Sequence, residues 1–246
     1  MPRYTLTREQ IVRTAMDLLD REGLEGLNMR ALGEGLGSAA TAMYWHVGSK
    51  EHLIELAADA AWQEIPLPDL ATVNWRAAAA SMATELRAMM VRHPWLLQAF
   101  GSHLLYGPGK ARHDDHGLAI FEGAGFAGES ADQAAATVLT YVLGNALGDA
   151  ASAAFRRKLS REGGNPDDQW RESLAGVREL ASQFPRLRAR LDNPAADYGA
   201  APEGSFAFGL QAVLDGLEKE LKRQSADARS SARATAPHRL RIPARR

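Results

Sequence analysis

The residues best placed to do chemistry lie between Leu24 and Lys50 (LEGLNMRALGEGLGSAATAMYWHVGSK). Their chemistry is that of hydrogen bonding to a polyanion. Ser38, Ala39, Ala40, Thr41 and Ala42 are small enough to let a helix approach another surface closely. Thr41 and Arg30 carry groups that suit base edges, and Tyr44, His46 and Lys50 carry donors that suit phosphate oxygens. Lys50 opens a helix, where a cation meets the positive end of the macrodipole at a cost of about 0.3–1 kcal/mol. A phosphate drawn to the same free backbone amides offsets that cost. Tyr44 and Trp45 are adjacent large aromatics on one short helix and cannot both face one core, so at least one is surplus to packing.

Other reactive patterns are weak. His113-Asp114-Asp115-His116 brings two imidazoles and two carboxylates together, a set that could hold a metal. It follows Gly107-Pro108-Gly109, with no further ligand identifiable, and is read as a solvated charged loop with no metal assigned. No glycine-rich phosphate loop, nucleophile elbow or zinc-binding helix motif is present, so no catalytic residue and no cofactor is expected. Cysteine is absent, which removes disulfides, thiolate nucleophiles and cysteine-held metals.

The elements that must position the 24–50 stretch are helices. Sustained period-two alternation of β-branched residues is missing, so the fold is expected to be all-α. Thr7 with Gln10 forms a capping box for a first helix, which carries Ile11, Ala15, Leu18 and Leu19 on one face and stops at Gly23. Asn28 caps a second helix with Met29, Leu32 and Leu36 inward, and glycines 35 and 37 allow the turn that follows. The spacing predicts a third helix over 38–47, with Met43 and Val47 toward the core. Ser49 caps a fourth helix to about Glu64, with Leu53, Leu56 and Ala60 packing back.

Pro66-Leu67-Pro68 breaks the helical pattern, because proline removes a backbone donor and restricts its predecessor. Residues 1–65 therefore read as one domain with its connecting helix, and 66–224 as a larger helical domain. Helices are expected over 75–93, 94–104, 115–123, 168–183 and 203–223, with a long one over 130–159 opened by a Ser130/Gln133 capping box. Residues 163–166 and 193–202 read as loops. From 225 to 246, six arginines and one aspartate occur without apolar periodicity, which reads as a flexible tail.

The 24–50 stretch resembles the DNA-reading motif of the tetracycline-repressor (TetR) family. Met43-Tyr44-Trp45-His46-Val47-Gly48-Ser49-Lys50 is similar to that family's Leu-Tyr-Trp-His-Val-x-x-Lys pattern, and Phe206-Ala207-Phe208-Gly209-Leu210 with Gly216 to Lys222 is similar to its last helix. The resemblance implies a homodimeric, ligand-responsive repressor of palindromic double-stranded operator DNA, built from an N-terminal three-helix helix-turn-helix domain joined to a larger helical ligand-binding and dimerisation domain. It implies that Arg30 contacts a guanine, that Ser38, Ala40, Thr41 and Ala42 lie along the recognition surface, and that Tyr44, Trp45, His46 and Lys50 sit at or near the DNA backbone. The 130–159 helix and the last helix would form the four-helix dimer bundle. At positions where some family members use a histidine and a partner-subunit carboxylate for a magnesium–tetracycline chelate, this chain carries Phe100 and Ser152. The inducer is therefore expected to be a different small apolar or aromatic molecule, in a pocket drawn from Met82, Leu86, Phe100, His103, Tyr141, Asn145 and Trp170. The rival class is an all-α carrier or enzyme with an incidental helix-turn-helix.

Composition bounds these readings. The chain has 246 residues, 46% of them hydrophobic, enough for a sizeable core. Its net charge of −1 gives no global signal for a polyanion, so any DNA contact must come from local placement. All six acidic residues of the first fifty precede Ser38, while His46 and Lys50 lie within 38–50. No apolar run is long enough to span a bilayer, and Met1-Pro2-Arg3-Tyr4-Thr5 lacks a signal-peptide core, so no membrane partner and a cytoplasmic address are expected.

Overall fold

A computed structural model describes residues 6–37, 40–162, 165–191 and 204–234. Eleven helices occur among them, and no strand: α1 (Arg8–Gly26), α2 (Met29–Leu36), α3 (Ala40–Val47), α4 (Lys50–Gln63), α5 (Trp75–Arg92), α6 (Trp95–Ala99), α7 (Pro108–Ala124), α8 (Glu129–Glu162), α9 (Pro166–Ser182), α10 (Pro185–Arg188) and α11 (Ser205–Ala234). The all-α architecture follows from punctuation legible residue by residue. Thr7 accepts from the Gln10 amide while the Gln10 side chain accepts from the Thr7 amide, closing the capping box of α1. Gly23, at φ 71°, interrupts α1, a left-handed geometry that glycine adopts without a Cβ penalty.

Helices α1 to α4 form a compact head in which α1 packs on α2, α3 and α4. Its core comes from Ile11, Leu19, Leu32, Met43, Val47 and Leu53, all essentially inaccessible to water. Helices α5, α7 and α8 pack on one another beneath it, and α11 lies along α5 and α8. The two parts share one continuous apolar core, because α4 also packs against α7 and α1 also packs against α6. The inward face of α4 is Leu53, Ile54, Ala57, Ala58, Ala61 and Trp62, while the expected Leu56 and Ala60 are half-buried at its edge.

Several boundaries differ from the sequence expectation for identifiable reasons. Helix α7 begins at Pro108 with Gly107 as N-cap, so the Gly-Pro-Gly segment starts a helix, as proline at the first helical position can. Helix α6 ends at Ala99, and the chain turns through Gly101 and Ser102. Ser130 does not cap α8: its hydroxyl bonds the backbone of Ala127, one turn back, and Gln133 donates to Glu129. Helix α11 continues to Ala234, past the expected stop near Arg223, where Arg223 pairs with Glu220 and Asp227 along the helix. Residues 235–246 lie outside the described residues.

Candidate nucleic-acid interface and interior cavity

The head presents α3 through two well-terminated turns. Asn28 Oδ1 accepts from the Ala31 amide at 2.8 Å to start α2, and Gly37 closes it in left-handed geometry at φ 59°. Gly48 at φ 73° ends α3, and Ser49 Oγ caps α4 by accepting from the His52 amide at 3.0 Å. Between those ends, Met43 and Val47 anchor α3 in the core. Their four-residue spacing forces the intervening side chains outward.

Trp45 is therefore 91% exposed and Tyr44 47% exposed, so both aromatics are surplus to the core, Trp45 most completely. His46 is exposed and Lys50 partly so, at the first position of α4. Arg30 stands on the exposed side of α2 with its Nε 3.1 Å from Glu34 Oε1. An exposed pair of this kind is worth about 0–1 kcal/mol, little enough for a better acceptor to displace it. Ser38 lies outside the described residues. Ala40, Thr41 and Ala42 fall within α3, but their side chains also lie outside the described set.

Beneath the head, α1, α4, α5 and α6 meet at His93. Its Nδ1 lies 2.8 Å from Asp20 Oδ1 and its Nε2 3.2 Å from Glu64 Oε2. Trp95 Nε1 donates to the same Asp20 oxygen at 2.8 Å, and Arg92 reaches Glu64 at 3.2 Å. Burial works against a charged His93 imidazole, but the bonds and charges of Asp20 and Glu64 outweigh it and raise its pKa above the ordinary value of 6.5. The cluster ties the head to the larger helical layer by polar contacts.

An apolar interior cavity, about 190 Å³, lies between α5, α7 and α8. Met82 and Leu86 of α5, Phe121 of α7 and Val138 of α8 supply apolar wall, and His113, Asp114 and Asp132 are its polar members. Two of the seven sequence-predicted pocket residues, Met82 and Leu86, line it. Phe100 caps the end of α6 and packs half-buried on the core. His103 Nδ1 contacts the Ser102 hydroxyl at 2.9 Å. Tyr141 stacks on Phe206 and donates to its carbonyl at 2.8 Å, while Asn145 accepts from Arg87 Nε at 2.8 Å. Those two fasten α11 and α5 to α8. Trp170 on α9 packs against Phe155, with the Arg156 guanidinium 4.7 Å from its ring centre.

Half of the wall residues that sequence reasoning missed are on α7. Once proline is taken as the first residue of that helix, His113, Gly117 and Phe121 recur every four residues and must share a face. His113 and His116 then diverge: His113 sits edge-on to Trp62 with ring centres 4.9 Å apart, and His116 Nε2 donates to the Pro68 carbonyl at 2.9 Å. No group of three or more potential metal ligands occurs among the described residues. No described helix is long and apolar enough to cross a membrane.

Two family models match the chain: "Tetracyclin repressor-like, C-terminal domain" over residues 67–221, and "Bacterial regulatory proteins, tetR family" over residues 11–57. The HTH-type transcriptional repressor DrrR1 of Streptomyces coeruleorubidus is 33% identical over 88% of this chain and 79% of its own length. The class A tetracycline repressor protein from transposon 1721 of Escherichia coli is 29% identical over 85% of this chain and 89% of its own. Among solved structures, ActR of Streptomyces coelicolor in complex with actinorhodin superposes with a TM-score of 0.66, is 25% identical and covers 87% of this chain and 96% of its own.

Proposed function

Since this chain belongs to the tetracycline-repressor family of helix-turn-helix regulators, we propose that it represses transcription as a homodimer bound to a palindromic operator and leaves that operator when a small molecule enters the interior cavity. The observation that carries the reading is α3: Met43 and Val47 hold it in the core while Tyr44, Trp45 and His46 face outward, beside the Lys50 ammonium at the start of α4. A side-chain set of that kind suits phosphate and groove contact and has no packing role. On this reading Arg30 and Thr41 read base edges, Ser38, Ala40 and Ala42 allow close approach, and Tyr44, Trp45, His46 and Lys50 engage the backbone.

The dimer follows from geometry that the duplex imposes: two recognition helices about 34–36 Å apart meet successive major-groove faces. Helices α8 and α11 are the proposed contact, and the exposure of Leu147 and Phe208 on them favours it. Residues 1–65 would then serve as the DNA-reading part and 66–224 as the ligand and dimer part, a division favoured by family matches that end at 57 and begin at 67. The presence of a small molecule in ActR supports a small-molecule effector here. No catalytic step belongs to this reading.

The test is to select the DNA fragments retained by the purified chain, sequence them, and measure their release by a small-molecule panel. Palindromic fragments whose binding weakens steeply with salt are expected. A carrier or enzyme with an incidental helix-turn-helix would retain none, and that result would overturn the proposal.

A further inference from the structure

We propose that the cavity takes a neutral, mostly apolar molecule carrying one hydroxyl, with that hydroxyl seated on His113 beside Trp62; this deepens the ligand-responsive reading above and rests on it. Among the described residues, the buried side-chain nitrogens without a hydrogen-bond partner are Trp62 Nε1 and both ring nitrogens of His113. They lie together, because the two rings meet edge-on. His113, 8% exposed, also lines the cavity. Buried polar groups left unpaired are destabilising, and native chains keep few of them without a reason. A ligand that supplies the missing partner is such a reason.

The surroundings select the partner. Asp114 Oδ1 lies 3.6 Å from His113 Nδ1, too long for a full hydrogen bond though close enough to pair with a protonated imidazole, and Asp114 is itself held by Lys110 Nζ at 2.6 Å. A neutral imidazole offers one donor and one acceptor, and a hydroxyl can answer either through one oxygen atom. No lysine or arginine lines the cavity, whereas Asp114, already paired with Lys110, and Asp132 do, so a carboxylate ligand would find no free cation there and would face the Asp132 charge. A protonated amine would have to leave water and pass between apolar walls to reach the imidazole, at a large desolvation cost. The cavity, about 190 Å³, has room for a body of two fused rings. Trp62 belongs to α4, the helix that opens at Lys50. A ligand on His113 thus touches a residue packed directly on the helix that leads into the reading head.

The test is equilibrium dialysis of the full chain at pH 7.5 against 2-naphthol, 2-methylnaphthalene, 2-naphthoate and 2-naphthylmethylamine. 2-Naphthol is expected to bind at least tenfold more tightly than 2-methylnaphthalene, which has the same shape and no hydroxyl, and more tightly than either charged analogue. In His113→Leu the tenfold preference should fall to within about twofold, while 2-methylnaphthalene binds no worse than before; His113→Phe is the second variant should the first not fold. Equal binding of 2-naphthol and 2-methylnaphthalene, a preference that survives both substitutions, tighter binding of a charged analogue, or no binding by a folded chain each overturns the proposal. If DNA is retained and released by some other compound while the hydroxyl preference is absent, only this inference fails. Absence of salt-sensitive DNA binding removes the repressor reading instead.

Discussion

Removing His93 should loosen the head from the layer below it, with a pH signature that a simple packing defect lacks. His93 is 6% exposed and bridges Asp20 of α1 and Glu64 just past α4, with Arg92 and Trp95 as the remaining partners of those carboxylates. A hydrogen bond to a charged group contributes about 1.5–3 kcal/mol. The Glu64 contact counts for less, since Glu64 is partly exposed and also served by Arg92, and exposed pairs are screened. Asp20 keeps its bond from Trp95. His93→Leu should therefore cost roughly 2 kcal/mol at pH 6, a drop of about 4–8 °C in Tm for a chain of this size. Because its pKa is raised on folding, the native chain binds the proton more tightly than the unfolded one. The stabilisation is then complete below the ordinary value near 6.5 and is lost as pH climbs through the raised value. Thermal melts followed by circular dichroism at one protein concentration, from pH 5.5 to 9, should show the wild-type advantage largest at pH 5.5–6 and shrinking toward pH 9. Parallel curves over that range, or an advantage that grows with pH, would refute the assignment of His93 as a protonated bridge.

Three further perturbations test other parts. Asn28→Ala removes the cap that accepts from the Ala31 amide and should lower stability by about 1 kcal/mol, read as a small drop in Tm. Gly109→Ala places a Cβ 2.6 Å from the Asp59 carbonyl oxygen, where α7 crosses α4, and should cost roughly 1–3 kcal/mol; a melt identical to wild type would show that the crossing is loose. Lys50→Ala should weaken operator binding uniformly across sequences and flatten the log–log salt slope by about one per protomer, whereas Arg30→Ala should relax base preference by about 1–3 kcal/mol at one position. Filter binding across a salt series with operator variants separates the two.

The head was legible in the sequence because its signals are local. Thr7, Asn28 and Ser49 each accept from the amide three residues on, and Gly23, Gly37 and Gly48 each take positive φ where a helix breaks or ends. Capping and left-handed glycine need no knowledge of tertiary neighbours. The cavity was less legible because helical periodicity marks a buried face without saying whether atoms or space lie opposite. Tyr141 and Asn145 share α8 with Val138, yet they bond Phe206 and Arg87 while Val138 lines the cavity. His113 was lost for a different reason: taking Pro108 as a breaker placed it in a loop, whereas a proline at the first helical turn costs no hydrogen bond. The Ser130/Gln133 pair has the spacing of a capping box, but the helix starts earlier, so Ser130 reaches back to Ala127 instead.

Helix α4 shows why a boundary drawn in sequence need not be a boundary in packing. Proline at 66 and 68 ends the helical pattern, and α4 stops at Gln63, so by chain order it belongs to the head. Its buried residues divide between two neighbours: α1 on one side and α7 on the other. Gly109 of α7 donates its backbone N–H to Asp59 of α4 at 2.6 Å, and the Gly107 and Gly109 Cα atoms come close enough that an added Cβ would strike Asp59. Trp62, one turn further along α4, is fully buried against His113. Close-packed contacts of this kind do not slide freely, because the interior has few voids to absorb a shift. Any displacement of α7 at the cavity must therefore either open the α4 contact or carry α4 with it, and α4 begins at Lys50, adjoining α3. The cavity wall and α3 are thus linked through one helix, packed closely on α7 at one end and joined to α3 by the Gly48-Ser49 turn at the other, so a two-state shift of α7 would have a continuous path to α3.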